Sequence, residues 1–168
     1  MAARATWATT VNHVTVGITA PPEKVWQAIL DDYVRAEKFK VPGYAVEPVS
    51  DPGAVLGGYH IRLVKDGVID DRVIHITERD DRACRLSLWA QYRDDPDGVT
   101  DVFATYHAQE APSGTRYALD CHARLAIDIP EHASEDHVAA TLARVTAESE
   151  NYLFAYLEGV RAQVEGPG

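Results

Sequence analysis

The stretch from Ser134 to about Val164 reads as one uninterrupted helix, and it restricts the fold more than any other feature of the chain. Ser134 is a good N-cap, and Glu135 and Asp136 complement the positive helix start. Val138, Leu142, Val145, Tyr152 and Tyr156 recur on one helical face, which Ala139, Ala143, Thr146, Leu153, Leu157 and Val160 widen. At 1.5 Å per residue such a helix runs roughly 45 Å. An apolar stripe of that length needs an equally long surface to lie on, and a strongly curved antiparallel sheet supplies one.

The rest of the chain supplies the strands. Val14, Val16 and Ile18 alternate with Thr15, Gly17 and Thr19, which predicts a half-buried strand over Val11–Thr19. Ala20-Pro21-Pro22-Glu23 ends it and opens a short helix, with proline in the first turn and Val25, Trp26, Ile29 and Leu30 on one face. Phe39 to Gly43 reads as a loop and Tyr44–Val49 as a strand. Period-2 runs then follow over Gly58–Lys65, Val68–Arg79, Arg82–Arg93, Val99–Glu110 and Thr115–Ile127. Turn signals separate them, at Asp66-Gly67, Asp80-Asp81, Asp94 to Gly98 and Pro112-Ser113-Gly114. The expected fold is therefore α+β, a seven-stranded antiparallel sheet curved around the terminal helix. It forms a single domain over residues 1–168, with residues 1–10 and 165–168 fraying.

Charge and motif content narrow the function classes. The net charge is −10, and no basic run suits nucleic acid or an anionic membrane surface. No apolar stretch approaches the roughly 20 residues that span a bilayer, and the N-terminus lacks a signal-peptide core, so the expected compartment is the cytoplasm. Cys84 and Cys121 read as reduced, buried thiols. His60, His75, His107, His122, His132 and His137 show no zinc-type spacing, so neither metal nor cofactor is expected. There is no Gly-x-Ser-x-Gly elbow, and Gly57-Gly58 reads as a close backbone approach at a strand start rather than a phosphate cradle.

The strand faces that point at the helix carry the functional signal. Their parity gathers Tyr59 and Ile61, then Leu88, Ala90 and Tyr92, then Ala104 and Tyr106, then Tyr117, Leu119, Cys121 and Ala123. Alanines leave volume, and tyrosines put hydroxyls into it that need partners. Tyr152 and Tyr156, one turn apart, are the expected helical wall. Asp71 shares parity with Ile69, Val73 and His75, whereas Ile74 and Ile76 are apolar on the other parity, so both facings of Asp71 and His75 stay open. Facing inward, Asp71 would orient a ligand hydroxyl or act as general acid or base, with Asp71, His75 or a tyrosine as the candidate proton carrier; facing outward, Asp71 would pair with Arg62 or Arg72.

The order of elements resembles the helix-grip fold of the SRPBCC (START-like) superfamily, which includes START lipid-transfer domains, birch-pollen-type plant proteins and polyketide cyclase/dehydratase-like proteins. The opening Ile18-Thr19-Ala20-Pro21-Pro22-Glu23-Lys24-Val25-Trp26 looks like the superfamily's first strand and helix. Gly53 to Gly58, Gly67, Asp71-Arg72-Val73 and Glu78–Asp81 look like the cyclase-like branch, and Gly114-Thr115-Arg116-Tyr117 resembles the start of its last strand. Where aromatic residues are common late in that strand, this chain has Leu119, Cys121 and Ala123.

The resemblance implies an internal cavity that binds or transports a small hydrophobic or aromatic molecule such as a polyketide, isoprenoid or lipid. A second expectation is a cofactor-independent polyketide cyclase or dehydratase using the same cavity. A third is an interaction module like the chaperone-ATPase activators. A fold does not choose among functions, nor between monomer and homodimer.

Overall fold

The computed structural model describes residues 3–50, 54–65, 68–94 and 98–166. The sequence-predicted turn at Asp66-Gly67, the Asp51-Pro52-Gly53 segment, Asp95 to Asp97 and the final Pro167-Gly168 lie outside the described residues.

Seven strands form one antiparallel sheet: β1 (Ala3–Ile18), β2 (Tyr44–Pro48), β3 (Gly58–Lys65), β4 (Val68–Asp80), β5 (Arg85–Tyr92), β6 (Val99–Ala111) and β7 (Gly114–Pro130). Their order across the sheet is β1-β7-β6-β5-β4-β3-β2, a meander whose last strand folds back to pair with the first. Two helices cover the inner face: α1 (Pro22–Tyr33) and the long α2 (Glu135–Glu165), whose Ser134 hydroxyl accepts the His137 backbone N–H as the cap requires. This is the helix-grip architecture the sequence predicts.

Several boundaries differ from the sequence reading, three of them for clear local reasons. β1 begins at Ala3 rather than Val11, because the extra residues find partners along the equally long β7, from Ala3 against Pro130 onward. The expected Phe39–Gly43 loop begins within a 3₁₀ turn, Glu37–Phe39, entered through Ala36 in the left-handed region at φ 56°. The β4–β5 turn extends to Cys84, with the Asp80 carboxylate accepting the Arg82 and Ala83 N–H groups.

The core sits between sheet and helices, but α2 contributes to it unevenly. Its buried residues are Leu157, Val160 and Val164, all in its last turns, while Val138, Leu142 and Val145 are only half-buried. That end is also tied down by polar contacts. The Glu165 carboxylate accepts the Thr19 N–H (2.5 Å) and hydroxyl (2.6 Å), and Lys24 donates to the Val164 carbonyl at 2.7 Å. Lys24 thus sits where the helix dipole favours a cation.

Gly58 opens β3 because nothing larger fits. A Cβ there would lie 2.5 Å from the Ile74 carbonyl oxygen, whereas one on Gly17 would meet nothing within 4 Å. Gly58→Ala should therefore lower unfolding free energy by about 2 kcal/mol in a urea titration, and Gly17→Ala should leave it nearly unchanged. Equal stability of the two variants would contradict the close approach.

Candidate functional site

Between the sheet and α2 lies a cavity of about 250 Å³. Its floor is built from strand positions of one parity. Leu88 and Ala90 come from β5, Val102 and Ala104 from β6, and Leu119, Cys121 and Ala123 from β7. The register sets these side by side: Leu88 opposes Ala104, Ala104 opposes Cys121, and Val102 opposes Ala123. Small side chains in adjacent strands leave the volume that larger ones would fill. Tyr33 of α1 stacks on Tyr106 with ring centroids 4.4 Å apart and meets Tyr156 of α2 edge-on at 6.4 Å, which closes one end.

Polar groups cluster at that closed end and along β4. Arg72 reaches the cavity with its guanidinium held by Asp70 in a two-point fork, Nε to Oδ1 at 2.6 Å and Nη2 to Oδ2 at 2.5 Å. Tyr44 donates to the same carboxylate at 3.1 Å, and the Tyr92 hydroxyl lies 3.4 Å from Arg72 Nη1. Burial works against the charged guanidinium, but Asp70 more than offsets it, and Arg72 stays protonated. The 3₁₀ turn places the Lys38 ammonium 3.8 Å from the centre of the Tyr33 ring and 5.0 Å from those of Phe39 and Tyr156.

Burial sets the protonation of these groups. It pushes Lys38 down to about 7, with Asp32 opposing the shift and Arg72 adding to it. Asp32, which accepts the Tyr156 hydroxyl at 3.2 Å, is raised above the usual carboxylate range by its own burial. Burial likewise raises Tyr33, Tyr106 and Tyr156 well above 10, so they are neutral donors at physiological pH. The Cys121 thiol is pushed up to about 11, which suits a wall residue rather than a nucleophile. Among the described residues no three His, Cys, Asp or Glu side chains converge as a metal site would require. No helix among them is long and apolar enough to cross a membrane.

The family described as polyketide cyclase / dehydrase and lipid transport matches residues 9–158. The chain belongs to this family. No curated protein matches the sequence. Among solved structures, the chain is similar to Ara h 8.0201, at 13% identity and TM-score 0.60, covering 96% of this chain and 100% of that one. It is also similar to the Zhui aromatase/cyclase from Streptomyces sp. R1128, at 16% identity and TM-score 0.56, covering 95% and 94% of the two chains. A third similar structure is norcoclaurine synthase from Thalictrum flavum in complex with dopamine and hydroxybenzaldehyde, at 14% identity and TM-score 0.57, covering 96% and 90%. At these identities the likeness is one of fold.

In this member of the polyketide cyclase/dehydrase and lipid-transport family, the sequence-predicted residues Leu88, Tyr92, Tyr106, Tyr152 and Tyr156 line the cavity, together with the small floor residues already named. Tyr152 does so from the rim, 75% exposed, because the buried stripe of α2 is centred on Leu157, Val160 and Val164 rather than on Tyr152. Tyr59, Ile61 and Tyr117 face inward but are packed in the core beside the cavity.

Asp71 and His75 lie elsewhere. They occupy the outer face of β4, where Asp71 meets His60 Nε2 at 2.6 Å and His75 stacks on Trp89 at 5.5 Å. The parity that faces the cavity is that of Arg72 and Ile74, so neither Asp71 nor His75 reaches it. What sequence reasoning missed is Tyr33, Lys38, Phe39 and Arg72. For Arg72 the available signal is its alternation with Ile74 and Ile76. Lys38 gave none.

Proposed function

We propose that this chain binds a small aromatic or polyketide-like molecule in the cavity between sheet and α2. The observation that carries the reading is the floor of Ala90, Ala104, Cys121 and Ala123 beneath a polar end formed by Arg72, Lys38 and tyrosine hydroxyls. An apolar body fits the floor, and oxygen substituents find donors in Arg72, Lys38 and the tyrosine hydroxyls, which favours one orientation. The family description and the likeness to an aromatase/cyclase support the same class of ligand. A cavity of roughly 150 Å³ suffices for benzene, so one of this size takes a bicyclic ring system. Incubating the protein with 2-naphthamide, a neutral bicyclic probe, should give a one-to-one complex in native mass spectrometry with micromolar affinity by titration calorimetry. Absence of a complex would overturn the reading.

One observation favours a second reading, cyclisation of a polyketone in the same cavity. The Arg72 guanidinium is fixed by Asp70 and flanked by Tyr92, which is suited to an enolate oxygen as charge develops. Arg72→Lys keeps the charge near Asp70 and loses the planar fork. A carrier should retain its affinity for 2-naphthamide within a few-fold, whereas an enzyme should lose about a hundredfold or more in turnover.

A further inference from the structure

The geometry points to Lys38 as the seat for an anionic oxygen group on the ligand, a carboxylate in its simplest form, so that the molecule taken up is an aromatic acid rather than a neutral aromatic. This rests on the ligand-binding reading above and specifies the chemistry of the bound molecule.

Charge at the cavity is the first ground. The whole chain carries −10, yet the residues lining the cavity include two cations, Lys38 and Arg72, and no carboxylate. The two cations are not equivalent. Arg72 is already neutralised through its fork with Asp70, itself shared with Tyr44. Lys38 has no ion-pair partner among the described residues, and the carboxylate whose charge it feels, Asp32, takes the Tyr156 hydroxyl. Of the two cations, the ammonium is therefore the one without a direct carboxylate contact among the described residues, Asp32 acting on it only through space.

Position is the second ground. The left-handed residue Ala36 redirects the chain after α1, and the following 3₁₀ turn lays Lys38 over the faces of Tyr33, Phe39 and Tyr156. Rings attract a cation but accept no strong hydrogen bond from it, so the N–H donors of the half-buried ammonium, which have no protein acceptor among the described residues, are available to a ligand. A ligand carboxylate reaching the closed end of the cavity supplies both acceptor and counter-charge, while its rings rest on the Ala104 and Cys121 floor.

Protonation gives the proposal a pH signature. Burial holds Lys38 near 7 in the free protein, and an adjacent anion favours the ammonium. The groups facing Lys38 are Asp32 and Tyr33 from α1, Arg72 from β4 and Tyr156 from α2. The tyrosines are held neutral by burial and Arg72 is held charged by Asp70. Affinity for an aromatic carboxylate is thus greatest below about pH 7 and falls as the free amine loses its proton above it.

The test compares 2-naphthoate with its neutral isostere 2-naphthamide, by titration calorimetry from pH 6 to pH 9, on wild type and Lys38→Met. We expect naphthoate to bind wild type about tenfold or more tightly than naphthamide at pH 6. That preference should shrink towards pH 9, and Lys38→Met should lose both the preference and its pH dependence. The preference is read as the ratio of the two affinities on each protein, so a loss common to both probes does not enter it, and a melting temperature near that of wild type shows that Lys38→Met folds. Equal binding of the two probes by wild type, or a naphthoate preference that survives in Lys38→Met, overturns the proposal and leaves the cavity reading standing. Failure of both probes to bind wild type overturns the cavity reading and this proposal with it.

Discussion

Leu157→Ala should lower the unfolding free energy by about 3–4 kcal/mol, the largest stability loss expected from any single truncation on α2. Leu157 is fully buried, and it lies where the helix is held rather than where it is longest. Removing three carbons there forfeits their transfer energy and leaves a void between two stiff elements that cannot easily close. For a domain of this size the melting temperature should fall by roughly 6–16 °C. Leu142, fifteen residues earlier on the same helix, is only half-buried. Leu142→Ala should cost about 1 kcal/mol or less. Chemical denaturation of the two variants separates a helix gripped at its C-terminal end from one gripped along its whole length. Equal losses would mean that the first turns of α2 carry as much core as the last.

The same asymmetry explains which parts of the site were legible in the sequence. Strand positions were, wherever one parity is apolar and the other polar. In β7 the alternation of Tyr117, Leu119, Cys121 and Ala123 with Arg116, Asp120, His122 and Arg124 has one solution, and the structure buries the first set and exposes the second. β4 defeats this logic because both its faces are covered. Ile74 and Ile76 lie under the helices, while Val73 and His75 are buried on the outer side, His75 against a stack that continues from Trp89 to Phe103. When both parities are apolar, period 2 carries no sign, and a bulge between Ile76 and Glu78 shifts the register again.

On α2 the apolar stripe is wide enough to be centred on Tyr152 or on Leu157. Only the packing of Leu157, Val160 and Val164 decides its phase, and it leaves Tyr152 at the rim. Lys38 is the hardest case. It precedes the Phe39–Gly43 loop in a short stretch with no periodic signal, and its direction depends on a positive φ at Ala36, a residue type that gives no warning of one.

Ala104→Phe should weaken binding of 2-naphthamide by about a hundredfold or more while leaving the melting temperature near that of wild type. Ala104 is the centre of the floor, flanked by Leu88 on β5 and Cys121 on β7, and its Cβ points into the cavity. A phenyl group there occupies the space that a ligand ring needs, so the two compete for one volume and no rearrangement of the rim restores it. Its effect on stability is the balance of two opposed contributions. Filling an apolar void recovers dispersion contacts, and misfit against Leu119 or Tyr106 costs some of that gain. A variant that melts near wild type and no longer binds places the ligand on the sheet floor. A variant that melts normally and binds as tightly as wild type would place it elsewhere and overturn the proposed function. If Ala104→Phe should destabilise the fold, Cys121→Leu makes the same test with a smaller addition at the neighbouring floor position, with a proportionately smaller loss of affinity expected. In either variant the loss should be the same for naphthamide and naphthoate, because the floor meets their shared rings and Lys38 meets only the group that distinguishes them.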